Sequence, residues 1–372
     1  MNKVVHISTV HPTFDGRIFH KECVSLADVG YDTHLIVTHT KNEEVNGVKI
    51  HALSKYKNRV ERIFKGNKEA LKIARELDAE IYHLHDPELL PLGLKLKKEG
   101  KKVIFDMHEL AGLMIKSKTW IPFVLRWGLS YLYSNYERRA FKSFDKIIVV
   151  TEKMVSDYTD VVYPKYKNKV AVIRNLSLIS KVENSIPVSI KNGKEIVLIY
   201  VGGLTSERGI KEVVQSIQSI SNVKLWLLGP WENEVFEAEC VTADTGNKVQ
   251  YFGLKPMLEV YNYIKAADIG LTILHPTVNH LSSLPVKAFE YMAANKPQIM
   301  SNFPFWMDAF DGCALFIDPS NQQEIENAIK KLVQDQPLRE KIGNYSYQTV
   351  AEKYSWEEES KKLKAIYTEI YE

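Results

Sequence analysis

"IVLIYVGGLTSERGIKEVVQSI", residues 196–217, decides the fold. An apolar, β-branched run stops at two glycines, and apolar residues at helical spacing follow within a few positions. This strand–turn–helix unit lies past the middle of the 372-residue chain. It restarts an alternation that the first half has already run through. Downstream, "VKLWLLGP", "VQYFG", "IGLTILH", "PQIMS" and "CALFID" predict strands, separated by helices at "MLEVYNYIKAA", "PVKAFEYMAAN" and "NQQEIENAIKKLVQD". Upstream, "KVVHIST", "THLIVTH", "IYHLHD", "KKVIFDMH", "KIIVVT" and "KVAVIRN" alternate with "RIFHKECVSLADVG" and "PELLPLGLKLKKEG". Each half therefore predicts a mostly parallel sheet with helices on both faces, an α/β doubly wound domain.

The stretch between them holds Pro187 and Gly193 and has little period, as a domain boundary does. The expected organisation is a domain over 1–176, a linker over 177–195, a second domain over 196–353 and a helix over 354–372. In that helix Trp356, Leu363, Ile366, Tyr367 and Ile370 form an apolar face. It either caps the second domain or crosses back onto the first.

Apolar residues make up 45% and charged residues 26%, which fits a globular protein rather than a disordered one. The net charge of +3, from 49 basic and 46 acidic side chains, does not predict a nucleic-acid binder. Cys23, Cys240 and Cys313 are widely spaced and odd in number, so no disulfide framework or Cys-x-x-Cys metal site is expected. The opening "MNKVVHIST" reads into a strand rather than a signal peptide, and no stretch is long and apolar enough to span a bilayer. A cytoplasmic location follows as the expectation.

Open parallel sheets bind ligands beyond the carboxyl ends of their strands, and those ends are polar here. If the two domains face each other there, their crevices merge into one cleft. In the first domain "HPTFDGRIFHKE" (11–22) offers Asp15, Gly16 and Arg17 before a helix whose wet face carries His20, Lys21 and Glu22. "HLHDPE" (83–88) and "DMHE" (106–109) follow. His108 can donate or accept beside a reacting group, or simply bond a loop carbonyl. His83, His85 and Asp86 invite a metal reading, but strand alternation separates His83 from Asp86, so no metal site is expected.

In the second domain Gly202 and Gly203 permit a tight turn. Arg208 offers a multidonor fork suited to a diphosphate. The predicted helix from about Pro285 to Ala294 presents first-turn N–H groups suited to phosphate. Lys287 and Glu290, three apart, either pair with each other or leave Glu290 to accept two hydroxyl hydrogen bonds. Phe289 and Met292 are expected in the core, with Tyr291 open. Residues 119–144, "TWIPFVLRWGLSYLYSNYERRAFKSF", are aromatic and basic. They suit either a lipid interface or a helix packed on the first sheet.

Together "HPTFDGRIFHKE", "HDPE", "DMHE", "YVGGLTSERGI" and "LPVKAFEYMA" resemble the retaining glycosyltransferases of family 4, over nearly the whole chain. The likeness is to the bacterial polysaccharide subgroup. The resemblance implies the GT-B fold, two Rossmann-like domains facing across a cleft. It implies transfer of a sugar from a nucleoside diphosphate donor, with uridine as the family-level base, to a hydroxyl of a glycan or lipid-linked acceptor. Anomeric configuration is retained and no metal or other cofactor is required. The setting is capsule or O-antigen synthesis in the cytoplasm or on the inner membrane face.

By the same resemblance Glu290 takes the ribose hydroxyls and Arg208 the diphosphate. The amides of Val286 and Lys287, beside Ser283, assist. Gly229, Pro230 and Leu254 line the base pocket. His108 lies near the transferred sugar, and Asp15, Gly16 and Arg17 face the donor phosphates. Two departures stand out. Ser282 replaces the first glutamate of a Glu-x7-Glu pattern, and Gly203 replaces an arginine. Arg208 with Lys287 or Arg17 is expected to compensate. A nonhydrolysing UDP-sugar epimerase and a noncatalytic sugar-nucleotide binder are the rivals. A dehydrogenase lacks its Gly-x-Gly-x-x-Gly here.

Overall fold

Strand β1, Lys3–Ile7 (KVVHI), is buried over its last four residues, as expected of a strand covered on both faces. It runs parallel to β2 (Asp32–Thr38), with Ile7 opposite Ile36, and to β5 (Ile81–Leu84), with His6 opposite His83. The computed structural model describes residues 2–107, 115, 122–152, 154–155, 168–190, 193 and 195–371. The chain divides into unit 1, Met1–Asn175 with Glu359–Glu372, and unit 2, Leu176–Glu358.

The sheet of unit 1 is completed by β3 (Glu43–Val45), β4 (Val48–Leu53), β6 (Lys102–Met107), β7 (Lys146–Val149) and β8 (Val170–Val172). Its order is β3-β4-β2-β1-β5-β6-β7-β8. Only the β3–β4 pair is antiparallel among the described strands. It turns through Asn46 and Gly47 at φ +51° and +75°, the left-handed pair that a tight hairpin requires. Strand order reverses around β1 and β5, which sets a crevice beyond their carboxyl ends.

The helix expected from Arg17 begins instead as a π-helical turn, Ile18–Cys23, and continues as an α-helix over Val24–Ala27. The Asp15 carbonyl accepts from both Phe19 and His20 N–H at 3.1 Å, which opens the turn. The predicted wet face is corrected: Lys21 and Glu22 are 1% and 0% exposed. Lys21 Nζ donates to Asn175 Oδ1 at 2.8 Å, and Glu22 pairs with Arg17, which distant Asp106 also holds, so these side chains stay inside.

Unit 2 carries β9 (Ile196–Val201), β10 (Val223–Leu228), β11 (Val249–Tyr251), β12 (Ile269–Thr272), β13 (Gln298–Ser301) and β14 (Ala314–Ile317). Their order is β11-β10-β9-β12-β13-β14, all parallel. The order reverses between β9 and β12, so this sheet's crevice opens there. Tyr291 is fully buried; a Cβ on Gly270 of β12 would stand 2.3 Å from its ring. That close approach is why a glycine interrupts an otherwise bulky strand. Phe289 and Met292 are core residues, as expected.

The last helix, Trp356–Tyr371, starts in unit 2 and ends in unit 1. Its five predicted apolar residues are all buried. Trp356 N–H donates to the Ser177 carbonyl at 3.0 Å in unit 2. Tyr367 Oη lies 2.8 Å from His83 Nδ1 in unit 1.

Candidate active site

Beyond β9 the backbone turns sharply at Gly202, φ +127°, against Gly229, φ +140°, at the end of β10. A Cβ at Gly229 would lie 2.0 Å from the Gly202 carbonyl oxygen, so no side chain fits between these strand ends. Gly202 N–H donates to the Leu228 carbonyl (2.8 Å) and Leu204 N–H to the Pro230 carbonyl (2.8 Å). The turn is therefore pinned. A short 3₁₀ turn, Ser206–Arg208, follows and is held by Ser206 N–H and Oγ on Glu232 Oε2, at 3.0 and 3.2 Å.

Arg208 reaches back over this turn. A Cβ placed on Gly202 would meet Arg208 Nη1 at 3.0 Å and Lys287 Nζ at 3.1 Å, so the two cations converge on one point. Tyr200, on β9, lies beneath both. Its hydroxyl is 3.5 Å from Arg208 Nη1 and its ring centroid 3.7 Å from Lys287 Nζ. Lys287 Nζ is buried with no hydrogen-bond partner among the described residues. Burial, followed by the Arg208 charge, holds its pKa well below the ordinary lysine value. Such a pair of cations matches an incoming diphosphate.

Lys287 sits in the first turn of the helix Val286–Ala293, which Pro285 precedes without a side-chain cap. Ala288 N–H bonds the Pro285 carbonyl at 3.0 Å, which leaves the Val286 and Lys287 amides as the first-turn donors suited to an anion. Trp306 Nε1 donates to the Ser283 carbonyl at 2.7 Å and fixes the loop that aims this helix. Glu290, one turn on, is 8% exposed. It lies beside Tyr261, whose phenol is pushed well up by burial and then by this carboxylate. Direct hydrogen-bonded pairing of Lys287 with Glu290 does not occur, given the unbonded Nζ. A buried carboxylate three residues from that lysine can accept hydroxyl hydrogen bonds.

Two histidines frame the same corner. His275 Nε2 contacts Glu212 Oε1 at 3.0 Å and its carbonyl bonds His280 Nδ1 at 2.8 Å. Burial lowers the His280 pKa despite that carbonyl bond, with Arg208 adding to the effect. No role for either histidine, or for Tyr200, was read from the sequence. The signal available for Tyr200 was a polar-tipped aromatic interrupting "IVLI" two residues before Gly202. Of the predicted base-pocket residues, Gly229 is buried, while Pro230 and Leu254 are exposed.

In unit 1, Asp15 Oδ1 accepts from Arg17 and Ile18 N–H at 2.8 and 2.9 Å, capping the π-helical turn, and Gly16 is half-buried. Arg17 is 4% exposed. Its Nε and Nη2 bind Asp106 at 2.7 and 3.0 Å, and Nη1 binds the Ile173 carbonyl at 2.9 Å. Turning this guanidinium outward would strand buried carboxylates, so we assign Arg17 to the internal network and not to the diphosphate. Asp86 accepts from Thr9 and Val10 N–H at 2.6 and 3.2 Å and from Ser8 Oγ at 3.1 Å, which shapes the loop after β1. His108 lies outside the described residues.

Comparison with known proteins places these elements in a family. Residues 16–176 match the family model Glycosyltransferase Family 4, and residues 181–349 match Glycosyl transferases group 1. Sucrose-phosphate synthase from Thermosynechococcus elongatus superposes with a TM-score of 0.79 at 15% identity, over 100% of this chain and 99% of that one. HepE from Anabaena, solved with UDP and glucose, superposes with a TM-score of 0.74 at 10% identity, over 99% and 100%. An uncharacterized glycosyltransferase of Methanocaldococcus jannaschii, MJ1607, is 25% identical over 199 residues, 52% of this chain and 50% of that protein. The lipopolysaccharide core biosynthesis glycosyltransferase LpsD of Rhizobium meliloti is 24% identical over 163 residues, 43% and 45% of the two chains. In these alignments the chain spans about half the length of the curated relatives it matches. The chain belongs to the GT-B glycosyltransferases, with a family 4 domain followed by a group 1 domain.

Proposed function

We propose that the protein transfers a sugar from a nucleoside diphosphate donor to a hydroxyl of a glycan or lipid-linked acceptor, with retention of anomeric configuration. The observation that carries this is the convergence of Arg208 and Lys287 on one point above Gly202. As the glycosidic bond breaks, negative charge grows on the leaving diphosphate. The two cations and the amides of Val286 and Lys287 stabilise it there without reorganising. Glu290 holds the ribose hydroxyls. The departing phosphate takes the acceptor's proton on the face it leaves, so the new bond forms on that same face. HepE was solved with UDP and glucose, and LpsD acts in lipopolysaccharide core biosynthesis. The first supports a uridine donor and the second a surface-polysaccharide product.

The helix Phe123–Ser143 supports work at a lipid surface. Phe123, Val124, Trp127, Tyr131 and Leu132 are each more than 60% exposed, while Glu137 is buried. Arg126 lies among them, and Arg138 and Arg139 follow further along the helix. Apolar tips with basic neighbours suit an anionic interface. No helix among the described residues is long and apolar enough to cross a membrane, so this contact is peripheral.

The test is product analysis with a panel of UDP- and GDP-sugars and a polyprenyl-linked acceptor, with the anomeric configuration read by NMR. Acceptor-dependent transfer with retention is expected. Donor epimerised with no acceptor present would replace this reading with the epimerase. Anionic liposomes should bring the protein down in sedimentation, and Trp127→Ser with Tyr131→Ser should abolish that.

A further inference from the structure

Unit 1 holds a second constellation that donor chemistry leaves unused. His6 on β1, His83 on β5, His85 just past β5 and Glu22 on the π-helical turn are at most 1% exposed. One nitrogen or carboxylate oxygen from each lies within 4.8 Å of the others. The fold makes this cluster. Parallel register sets His6 beside His83, the two-residue alternation puts His85 on the same side as His83, and the three rings stack at 4.5–5.2 Å.

The inner and outer faces of these rings differ. Inside, His6 Nδ1 is 2.9 Å from His85 Nε2, and Glu22 Oε2 lies 4.0 and 3.9 Å from those two atoms. Outside, the Tyr367 hydroxyl meets His83 Nδ1 at 2.8 Å and His6 Nε2 at 3.1 Å. Asp106 Oδ2 stands 3.5 Å from His85 Nδ1, and Arg17 Nε holds Glu22 Oε1 at 3.0 Å. Outer partners of this kind orient metal-bound imidazoles. His83 Nε2 and Glu22 Oε2 are buried without a hydrogen-bond partner among the described residues, which is costly unless something else binds them.

We propose that His6, Glu22, His83 and His85 bind one divalent transition metal, zinc by its donor set, as a structural centre of unit 1. Three imidazoles and a carboxylate complete a closed four-coordinate site. Bonds of 2.0–2.1 Å set tetrahedral ligand atoms roughly 3.3–3.4 Å apart; the spacings found here bracket that range. The centre would join β1, β5 and the π-helical turn and, through Tyr367, the last helix.

The test uses the untagged full-length chain, dialysed and analysed for metal by mass spectrometry, with a chelator-stripped sample retitrated with Zn²⁺ or Co²⁺. About one zinc per chain is expected, with a melting temperature that falls on stripping and recovers on retitration. Co²⁺ should give the intense visible bands of a tetrahedral site. Glu22→Gln keeps the shape of the side chain and should lose the metal; Tyr367→Phe should weaken binding about 10–100-fold. His51→Ala, in the separate His34–His51 pair, should leave stoichiometry unchanged. A wild-type chain that binds neither Zn²⁺ nor Co²⁺ overturns the proposal. So does bound metal that survives both Glu22→Gln and Tyr367→Phe but is lost in His51→Ala.

Discussion

Lys287 Nζ stands 3.7 Å from the centroid of the Tyr200 ring, and the same tyrosine's hydroxyl lies 3.5 Å from Arg208 Nη1. One aromatic residue at the end of β9 thus supports two cations arriving from different elements. The ring's negative face offsets part of the cost of enclosing the ammonium. Gly203 leaves room where the resembled family has an arginine, and Lys287 brings its charge to that corner from the helix Val286–Ala293.

Lys287→Met should therefore move stability and binding in opposite directions. Removing a buried, unbonded cation should raise the melting temperature, by about 2–4 °C per kcal/mol gained. A depressed lysine pKa destabilises the fold as pH falls from the ordinary 10.5 through the folded value, so the variant's advantage should widen over that descent. Nucleoside diphosphate affinity or kcat should fall by about 10²–10³, roughly 2.7–4 kcal/mol. Differential scanning calorimetry across pH and steady-state kinetics check the two halves.

Gly203 and Gly229 should respond oppositely to alanine. A Cβ at Gly203 meets nothing closer than 3.8 Å, whereas one at Gly229 meets a backbone carbonyl at 2.0 Å. Gly203→Ala should melt close to wild type, and Gly203→Arg should tighten diphosphate binding by restoring a cation. Gly229→Ala should unfold unit 2 or fail to express. Calorimetric titration with UDP and thermal melts would read both.

Arg17→Ala tests the internal assignment of that residue. It strands Asp106 and Glu22 in the interior, which should cost about 3–5 kcal/mol of stability. Folded protein recovered at low temperature should still bind nucleoside diphosphate with wild-type affinity. A variant with unchanged urea midpoint and lost affinity would return Arg17 to the donor site.

The His11–Asp15 contact at 3.4 Å should give a pH window. Burial opposes the charged form of His11, but Asp15 and Asp86 outweigh it and raise the pKa above 6.5. Asp15 is lowered: burial opposes this, and His11 and backbone N–H groups prevail. The pair's stabilisation is then fully present from the carboxylate's ordinary 3.8 up to the imidazole's ordinary 6.5. It is lost as pH falls through the depressed carboxylate value, or rises from 6.5 through the raised imidazole value. Melting curves of wild type and His11→Gln should converge above it.

The βαβ rhythm, the glycine turn before Arg208 and the helix carrying Lys287 and Glu290 were all legible, because each is written in a local pattern. The β3–β4 hairpin was also written locally, in the Asn46–Gly47 pair of "EEVNGVKIHAL", and was overlooked. The fate of Arg17, Lys21 and Glu22 was not legible. The partner of Arg17, Asp106, stands 89 residues away and that of Lys21, Asn175, stands 154 away, while Glu22 follows Arg17 inward. Charge on a helical pattern reads as a wet face unless those partners are known. The histidine cluster was hidden for the same reason. "HLHDPE" shows two of its members and wrongly suggests Asp86, while Tyr367 reaches His83 across 284 positions.

The central claim is that Arg208, Lys287 and Glu290 together hold a nucleoside diphosphate. Calorimetric titration of UDP and GDP into wild type, Arg208→Ala, Lys287→Met and Glu290→Gln tests it most directly. One site per chain is expected, with affinity reduced about 100-fold or more by either cation variant and a smaller loss for Glu290→Gln. Wild-type affinity retained in both cation variants would contradict it.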